Sequence, residues 1–288
     1  LAEDWDNPGL NLGDKNYDVE KIIVALDAEE GVIDEAIEKN AHMIITHHPF
    51  FFSGVKKIDA SNPTGRKIYK LIQNNISVFY AHTNLDVAKG GTNDVLAQLC
   101  GLKNIGLLQQ TDYKKLYKIV VYVPEGYEEQ VKNAMFENGA GHIGNYSCCS
   151  FYCEGTGTFM PLEGTKPFLG SINEIEQAHE IRLETVVTED ILDNVIEKIK
   201  QAHPYEEVAY DVFKLEIEGQ KEGIGRTGEL ENPMTLKDFA AMVKNKLGLE
   251  KMVYVGDDDR IIKKVALCTG SGMSFLNQAK SFSADVYI

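Results

Sequence analysis

The sequence predicts an α/β core with a mostly parallel sheet, interrupted by an inserted α+β domain. Three observations lead there. Short β-branched runs alternate with helically spaced apolar residues in the first part of the chain. A Gly-, Ser-, Cys- and aromatic-rich texture then takes over, and the first texture returns beyond Gly223. Alternating strands and helices imply parallel strands joined by right-handed crossovers, and a break in that alternation followed by its resumption implies an insertion.

Taken in order, Ile22-Ile23-Val24-Ala25-Leu26 reads as a buried strand. Asp27 with Glu30 three residues on has capping-box spacing, and Val32, Ile33, Ala36 and Ile37 recur with helical period. His42 to Thr46 is the next expected strand, Ile68 to Ile72 lie on a helix, and Ile76 to Ala81 form a third strand. A helix from Asn93 to Cys100 should stop at Gly101, a common residue just past a helix end. In the middle of the chain, Tyr117 to Val123 is a strand and Glu128 to Gly139 a helix, and Gly139 to Gly170 holds elaborated central strands. Ile181 to Val187 is a strand, Ile191 to Ala202 a helix and Val208 to Leu215 a closing strand. The resulting β-α-β-β-β-α-β order is that of a ferredoxin-like module with extra central strands. Thr235 to Leu247 is then a helix with Thr235 near its cap, Ile262 to Leu267 a strand, and Asp285 to Ile288 a final strand. The expected division is a core of 1–111 and 223–288 around an insertion of 112–222.

At roughly 150 residues per domain, 288 residues suit two domains. Against 44 Asp and Glu stand 29 Lys and Arg, a net charge of −15 that repels phosphate backbones and anionic membranes, so no strong nucleic-acid binding is expected. Apolar runs such as Ile22 to Leu26 fall far short of the roughly 18 residues a spanning helix needs. Five cysteines form an odd set and no basic-then-apolar start is visible, so a cytoplasmic location is expected. The chain opens on Leu1 and closes on the strand-like Asp285-Val286-Tyr287-Ile288, so both ends are expected to be cut.

The chemistry-bearing residues cluster at strand ends. His47 and His48 follow Met43-Ile44-Ile45-Thr46, and Pro49 stops that strand from continuing. Open α/β sheets bind ligands outside the carboxyl ends of their strands, and the next strand ends in His82-Thr83-Asn84-Leu85-Asp86. One crevice thus receives up to three imidazoles and a carboxylate, donors that suit Zn²⁺, Mn²⁺ or Fe²⁺. The plainer reading, satisfied polar residues at strand ends, weakens because two neighbouring ends carry the pattern. Cys148, Cys149 and Cys153 lack CxxC spacing, so buried thiols or a reactive surface patch are expected there rather than a metal site. Thr269-Gly270-Ser271-Gly272 reads as a tight turn before an anion cradle, since neither GxGxxG nor the P-loop Lys is complete. His203 precedes Pro204, which forces it out of the helix, so a structural role is expected.

Together, Trp5-Asp6-Asn7-Pro8-Gly9-Leu10, Thr46-His47-His48-Pro49, His82-Thr83-Asn84-Leu85-Asp86, the run Gly223 to Leu230 and the closing Ala284 to Ile288 resemble the NIF-three-like family, also named GTP cyclohydrolase I type 2 homologues. The segments Gly139 to Tyr146 and His203 to Tyr210 further resemble longer bacterial members, in which a CutA/PII-like domain interrupts the core. The resemblance implies two divalent metal ions, Zn²⁺ foremost with Mn²⁺ or Fe²⁺ compatible, and a ring-like homohexamer with the inserted domains near its openings. His47, His48 and Asp86 match family metal ligands, and His82 matches a position at the site. The family also continues past the strand at Ile288 into Thr-Gly-Asp and a helix bearing a further His and Glu ligand, and Pro8 stands where Val is usual.

The function this implies is a metal-dependent hydrolase, in which two cations about 3.5 to 4 Å apart acidify a bridging water and clamp the substrate oxygen. The family label suggests opening of the GTP purine ring, although no guanine-reading or triphosphate-binding constellation is legible and the net charge offers a polyanion no general attraction. The small-molecule substrate is therefore left unassigned. The second expectation is a non-catalytic metal-binding or regulatory adaptor whose PII-like module senses a ligand.

Overall fold

Residues 1–288 are described by a computed structural model. The chain divides into two compact units, Leu1–Asp112 with Glu222–Ile288, and Tyr113–Lys221. No helix is long and apolar enough to cross a membrane.

The first unit opens with β1 (Gly9–Leu12), β2 (Ile22–Ala25), α1 (Glu30–Glu38), β3 (Met43–Thr46), α2 (Pro63–Gln73) and β4 (Ser77–Tyr80). These strands form a sheet in the order β1-β4-β3-β2, with β2, β3 and β4 parallel and β1 antiparallel to β4. Its core is made by Ile44 and Val78 from the strands against Ile33 and Ala36 of α1 and Leu71 of α2, all fully buried. Asn62 starts α2 by accepting from the Gly65 amide, and Pro63 fits the first helical turn because its missing N–H is not needed there. The capping box expected at Asp27 does not form. Glu29 stands at the cap of α1 and makes no side-chain cap bond, while the Asp27 carboxylate is occupied elsewhere.

Short helices α3 (Thr83–Val87) and α4 (Thr92–Leu99) lead into β5 (Leu102–Pro124), a 23-residue strand with residues in both units. The second unit continues with α5 (Glu128–Glu137), β6 (Ser150–Phe159), β7 (Glu176–Thr188), α6 (Leu192–Ala202) and β8 (Tyr210–Thr235). The order is β-α-β-β-α-β, one strand fewer than expected, with strands arranged β8-β5-β7-β6. Gly141, Gly144, Gly164 and Gly170, all at positive φ, turn the chain on both sides of β6, so the glycine-rich stretch yields a single strand. Along β7, Ile181, Leu183 and Val187 are buried, the latter two in a core made with Val131 and Met135 of α5 and Val195 and Ile199 of α6. Glu180, Arg182 and Glu184 alternate with them and lie on the opposite face.

Beyond β8 come α7 (Leu236–Lys246), β9 (Ile261–Leu267), a 3-10 turn at Gly272–Phe275, α8 (Leu276–Ser281) and β10 (Val286–Tyr287). Thr235 caps α7 by accepting from the Asp238 amide at 3.1 Å. Here the expected mostly parallel arrangement fails. β10 is parallel to β9, whose crossover runs through α8, but β8 is antiparallel to β9. No βα crossover of the core delivers β8, so nothing imposes the parallel direction on it, and strand orientations across the molecule are mixed. The strands expected at Tyr117 to Val123 and Val208 to Leu215 also extend much further, because their exposed, charged continuations still complete backbone ladders.

Candidate metal centre

Parallel register sets the position of the site. Ala25 pairs with Thr46, and Thr46 pairs with Tyr80, so β2, β3 and β4 end at one level. The residues that follow those ends are Asp27, the pair His47 and His48, and His82. Because β1 is antiparallel and Gly9 pairs with Tyr80, the segment before β1 returns Trp5 and Asp6 to the same edge.

Three imidazoles gather there. The His47 ring centroid lies 5.3 Å from those of both His48 and His82, and the His48 and His82 centroids are 6.2 Å apart. In each ring Nδ1 has a protein partner: the Ala81 carbonyl at 2.9 Å for His47, Asp27 Oδ1 at 2.8 Å for His48 and Asp6 Oδ2 at 3.1 Å for His82. An Nδ1–H held by a carboxylate or carbonyl fixes the tautomer in which Nε2 carries the free lone pair, as in histidines that bind metals. His47 Nε2 in turn lies 3.8 Å from Asp86 Oδ1.

Asp86 is buried on α3 and held from two sides by hydroxyls, Thr92 and, at 3.1 Å, Thr269. The Asn93 amide reaches the Asp86 carbonyl, and Asn93 Oδ1 accepts from the Thr269 amide. The turn read in sequence as a plain connection therefore positions the carboxylate. Asp6 is nearly enclosed. Burial alone would raise its carboxyl, but the Thr83 hydroxyl and amide, followed by His82, outweigh that and hold it below the usual carboxylate range. Trp5, 68% exposed, stands edge-on to His82 at 5.8 Å. In the side-chain positions present, no three His, Cys, Asp or Glu groups close around one point as a metal-binding set. The three rings lie side by side at one edge of the sheet without forming a closed cage.

Asp6, Asp27, Thr92, Asn93 and Thr269 were not singled out in the sequence as supporting groups. Asp6 and Asp27 did have a signal, since each lies at a chain segment flanking a strand of this sheet. Thr92 and Thr269 had none, being brought to Asp86 by folding.

The other sequence candidates lie elsewhere. His203 is buried, its Nε2 against the Tyr122 carbonyl at 2.9 Å while Nδ1 accepts from the Tyr205 amide at 3.1 Å. Both ring nitrogens are thus used, and burial lowers its pKa. Cys148 and Cys153 are exposed and Cys149 is half-buried, so the trio is a surface feature rather than a set of buried thiols. Cys100 and Cys268 are buried, which pushes each thiol up to about 11 and leaves it unreactive.

A profile described as Duf34/NIF3 (NGG1p interacting factor 3) matches residues 1–288. A Bacillus subtilis protein named GTP cyclohydrolase 1 type 2 homolog is 47% identical over 287 residues, covering 100% of this chain and 77% of the relative. A protein of the same name from Halalkalibacterium halodurans is 43% identical over 288 residues, again covering 100% and 77%. A crystal structure of a Bacillus cereus protein related to NIF3 superposes with a TM-score of 0.89 at 44% identity, over 100% of this chain and 77% of that one.

Proposed function

The chain belongs to the Duf34/NIF3 family, and from that premise we propose that it is a metal-dependent hydrolase with a dinuclear centre held by His47, His48 and Asp86. One observation carries this reading: three neighbouring imidazoles each have Nδ1 engaged by an oxygen acceptor, which leaves three Nε2 donors in one crevice. The donor set suits borderline divalent cations, Zn²⁺ foremost, with Mn²⁺ and Fe²⁺ compatible. Two such ions would supply Lewis acidity and acidify a water at neutral pH. Within that scheme His47 and His48 present Nε2, while Thr92 and Thr269 orient the Asp86 carboxylate. Asp27 and Asp6 hold the His48 and His82 rings and raise their donor strength, and the exposed Trp5 ring offers a flat wall to a small-molecule substrate. The names of the relatives point to GTP, yet no Lys or Arg is among the contacts described at this crevice, so the substrate stays open.

The unit Tyr113–Lys221 is read as an inserted ferredoxin-like module of the CutA/PII type. Its β-α-β-β-α-β order and its β8-β5-β7-β6 strand arrangement support this. Self-association as a homohexamer is part of the same reading. Ile22 and Val24 of edge strand β2 and Leu26 just after it, at 47%, 78% and 60% exposure, put apolar side chains along one edge, a surface suited to a second copy. Five cysteines without a disulfide suit the cytoplasm.

The deciding experiment is turnover by protein loaded with Zn²⁺, Mn²⁺ or Fe²⁺ across nucleotides and phosphoesters. Hydrolysis that disappears in the His47→Ala, His48→Ala double variant supports the enzyme. Metal binding with no turnover of any substrate in the panel favours the second reading, a regulatory adaptor, for which the separate inserted module is the supporting observation.

A further inference from the structure

The inserted unit contains a cavity of its own, of about 420 Å³, between the end of β6, the 161–169 loop and the segment after His203. Its walls are aromatic. Phe159 and Phe168 flank Tyr205 with ring centroids 6.0 and 5.8 Å away. The charged groups are all of one sign: Glu180, Glu206 and Glu207 line the space, and no Lys, Arg or His does. Glu206 is engaged by the Lys166 amide at 2.9 Å.

Glu180 is the unusual member. It is 8% exposed although it lies on the face of β7 opposite the hydrophobic core. A Cβ at Gly157 would sit 2.0 Å from its carboxylate, so the carboxylate packs directly over glycine backbone and any side chain there would displace it. Burial raises the carboxyl above its ordinary range, against the opposing effect of Tyr205. The Tyr205 hydroxyl is buried without a hydrogen-bond partner of good geometry, and burial, followed by the charge of Glu180, pushes that phenol up to about 12. Buried carboxylates and hydroxyls are normally compensated by partners, and these two face a space large enough for a ligand.

We propose that this cavity binds a small organic ammonium ion, whose N–H groups are donated to Glu180 and the Tyr205 oxygen and whose apolar body packs against Phe159 and Phe168. The charge pattern selects this class. An anion would meet three carboxylates with no counter-charge, and a neutral apolar molecule would cover Glu180 without compensating it. A cation gains from the carboxylate and from the faces of the surrounding rings. The proposal is independent of the metal centre, since every residue it uses belongs to Tyr113–Lys221.

Calorimetric titration of the full chain with benzylammonium, and with benzyl alcohol as a neutral partner of similar shape, tests it. Benzylammonium should bind saturably at one site per chain, and benzyl alcohol at least about tenfold more weakly. Glu180→Gln, which keeps the volume and removes the charge, should weaken benzylammonium by about tenfold or more, while Tyr205→Phe should cost a smaller factor. The His47→Ala, His48→Ala variant should bind it as the wild type does, which separates this site from amine capture by a metal. Absence of saturable binding, equal affinity for the alcohol, or an unchanged Kd in a folded Glu180→Gln protein would each overturn the proposal. If Glu180→Gln does not fold, the comparison of the two ligands on wild-type protein still decides it.

Discussion

His48 Nδ1 lies 2.8 Å from Asp27 Oδ1, a pairing between the residues just beyond the ends of two adjacent parallel strands. It uses the carboxylate that local sequence rules assign to capping α1, and it leaves Nε2 as the free nitrogen of a ring that lies beside those of His47 and His82. Asp27→Asn should therefore weaken Zn²⁺ binding by about tenfold or more while leaving the proposed ligands intact. Competition titration against a chelator of known affinity measures this. An unchanged affinity would separate Asp27 from the site.

Removing both adjacent imidazoles should act on metal content and not on the fold. His47 and His48 follow β3 rather than fill the core, which is formed by Ile44, Val78 and Leu71. His47→Ala with His48→Ala is expected to lose bound metal by elemental analysis and to keep the helical circular dichroism of the parent. Full metal content in the double variant would remove these residues from the assignment.

Arg226 and Asp94 make the tightest buried ion pair of the first unit. Arg226 donates through Nε at 2.5 Å and Nη2 at 3.0 Å to the two carboxylate oxygens, and through Nη1 to the Gly223 and Gly225 carbonyls. Asp94→Asn leaves a buried guanidinium short of its counter-charge, a loss of about 3 kcal/mol in denaturant unfolding at pH 7.

The same pair predicts a pH dependence. Burial opposes ionisation of Asp94, but Arg226 and the Gly90 amide outweigh it and hold the carboxyl below the usual range. A lowered folded-state pKa stabilises fully above the unfolded-chain value of about 3.9, and that stability is lost as pH falls through the lower folded value. The gap between wild type and Asp94→Asn should be constant above about pH 5 and shrink below about pH 4. A gap that stays level down to pH 2.5, roughly a unit and a half below the free carboxylate value, would show that ionised Asp94 is not what stabilises the fold.

The segment Tyr113–Lys221 is expected to fold alone. Its core of Ile119, Val121, Met135, Leu183, Val195 and Ile199 is drawn wholly from its own residues. The isolated segment should show a cooperative thermal transition with near-ultraviolet structure. An unstructured segment beside a native intact chain would place the division elsewhere.

Much of this protein was legible in its sequence because the deciding signals are local. Short continuous apolar runs and helically spaced apolar residues located β2, α1, β3 and β4, and Thr235 marked the start of α7, but β2, read as a buried strand, is an edge strand that exposes Ile22 and Val24. The pattern of His47, His48 and His82 at strand ends followed once the strands were taken as parallel neighbours. The long reach of β5 and β8 was hidden, since exposed Lys and Glu residues carry no strand period while their backbones still pair. The antiparallel placement of β8 was hidden too, because strand direction is set by how the chain re-enters a sheet and not by the residues of the strand. Asp27 shows the limit most directly. Its neighbours in sequence offer it a helix terminus, and only the register of β2 against β3 offers it an imidazole. The same holds for Thr92 and Thr269 on Asp86, separated by 177 residues along the chain and 2.9 Å in space. Sequence determined which side chains with donor chemistry exist and which strand ends carry them. The tertiary structure alone decided which nitrogens are tied back and which remain free, because a hydrogen bond depends on positions to within fractions of an ångström, and only the packed sheet supplies those.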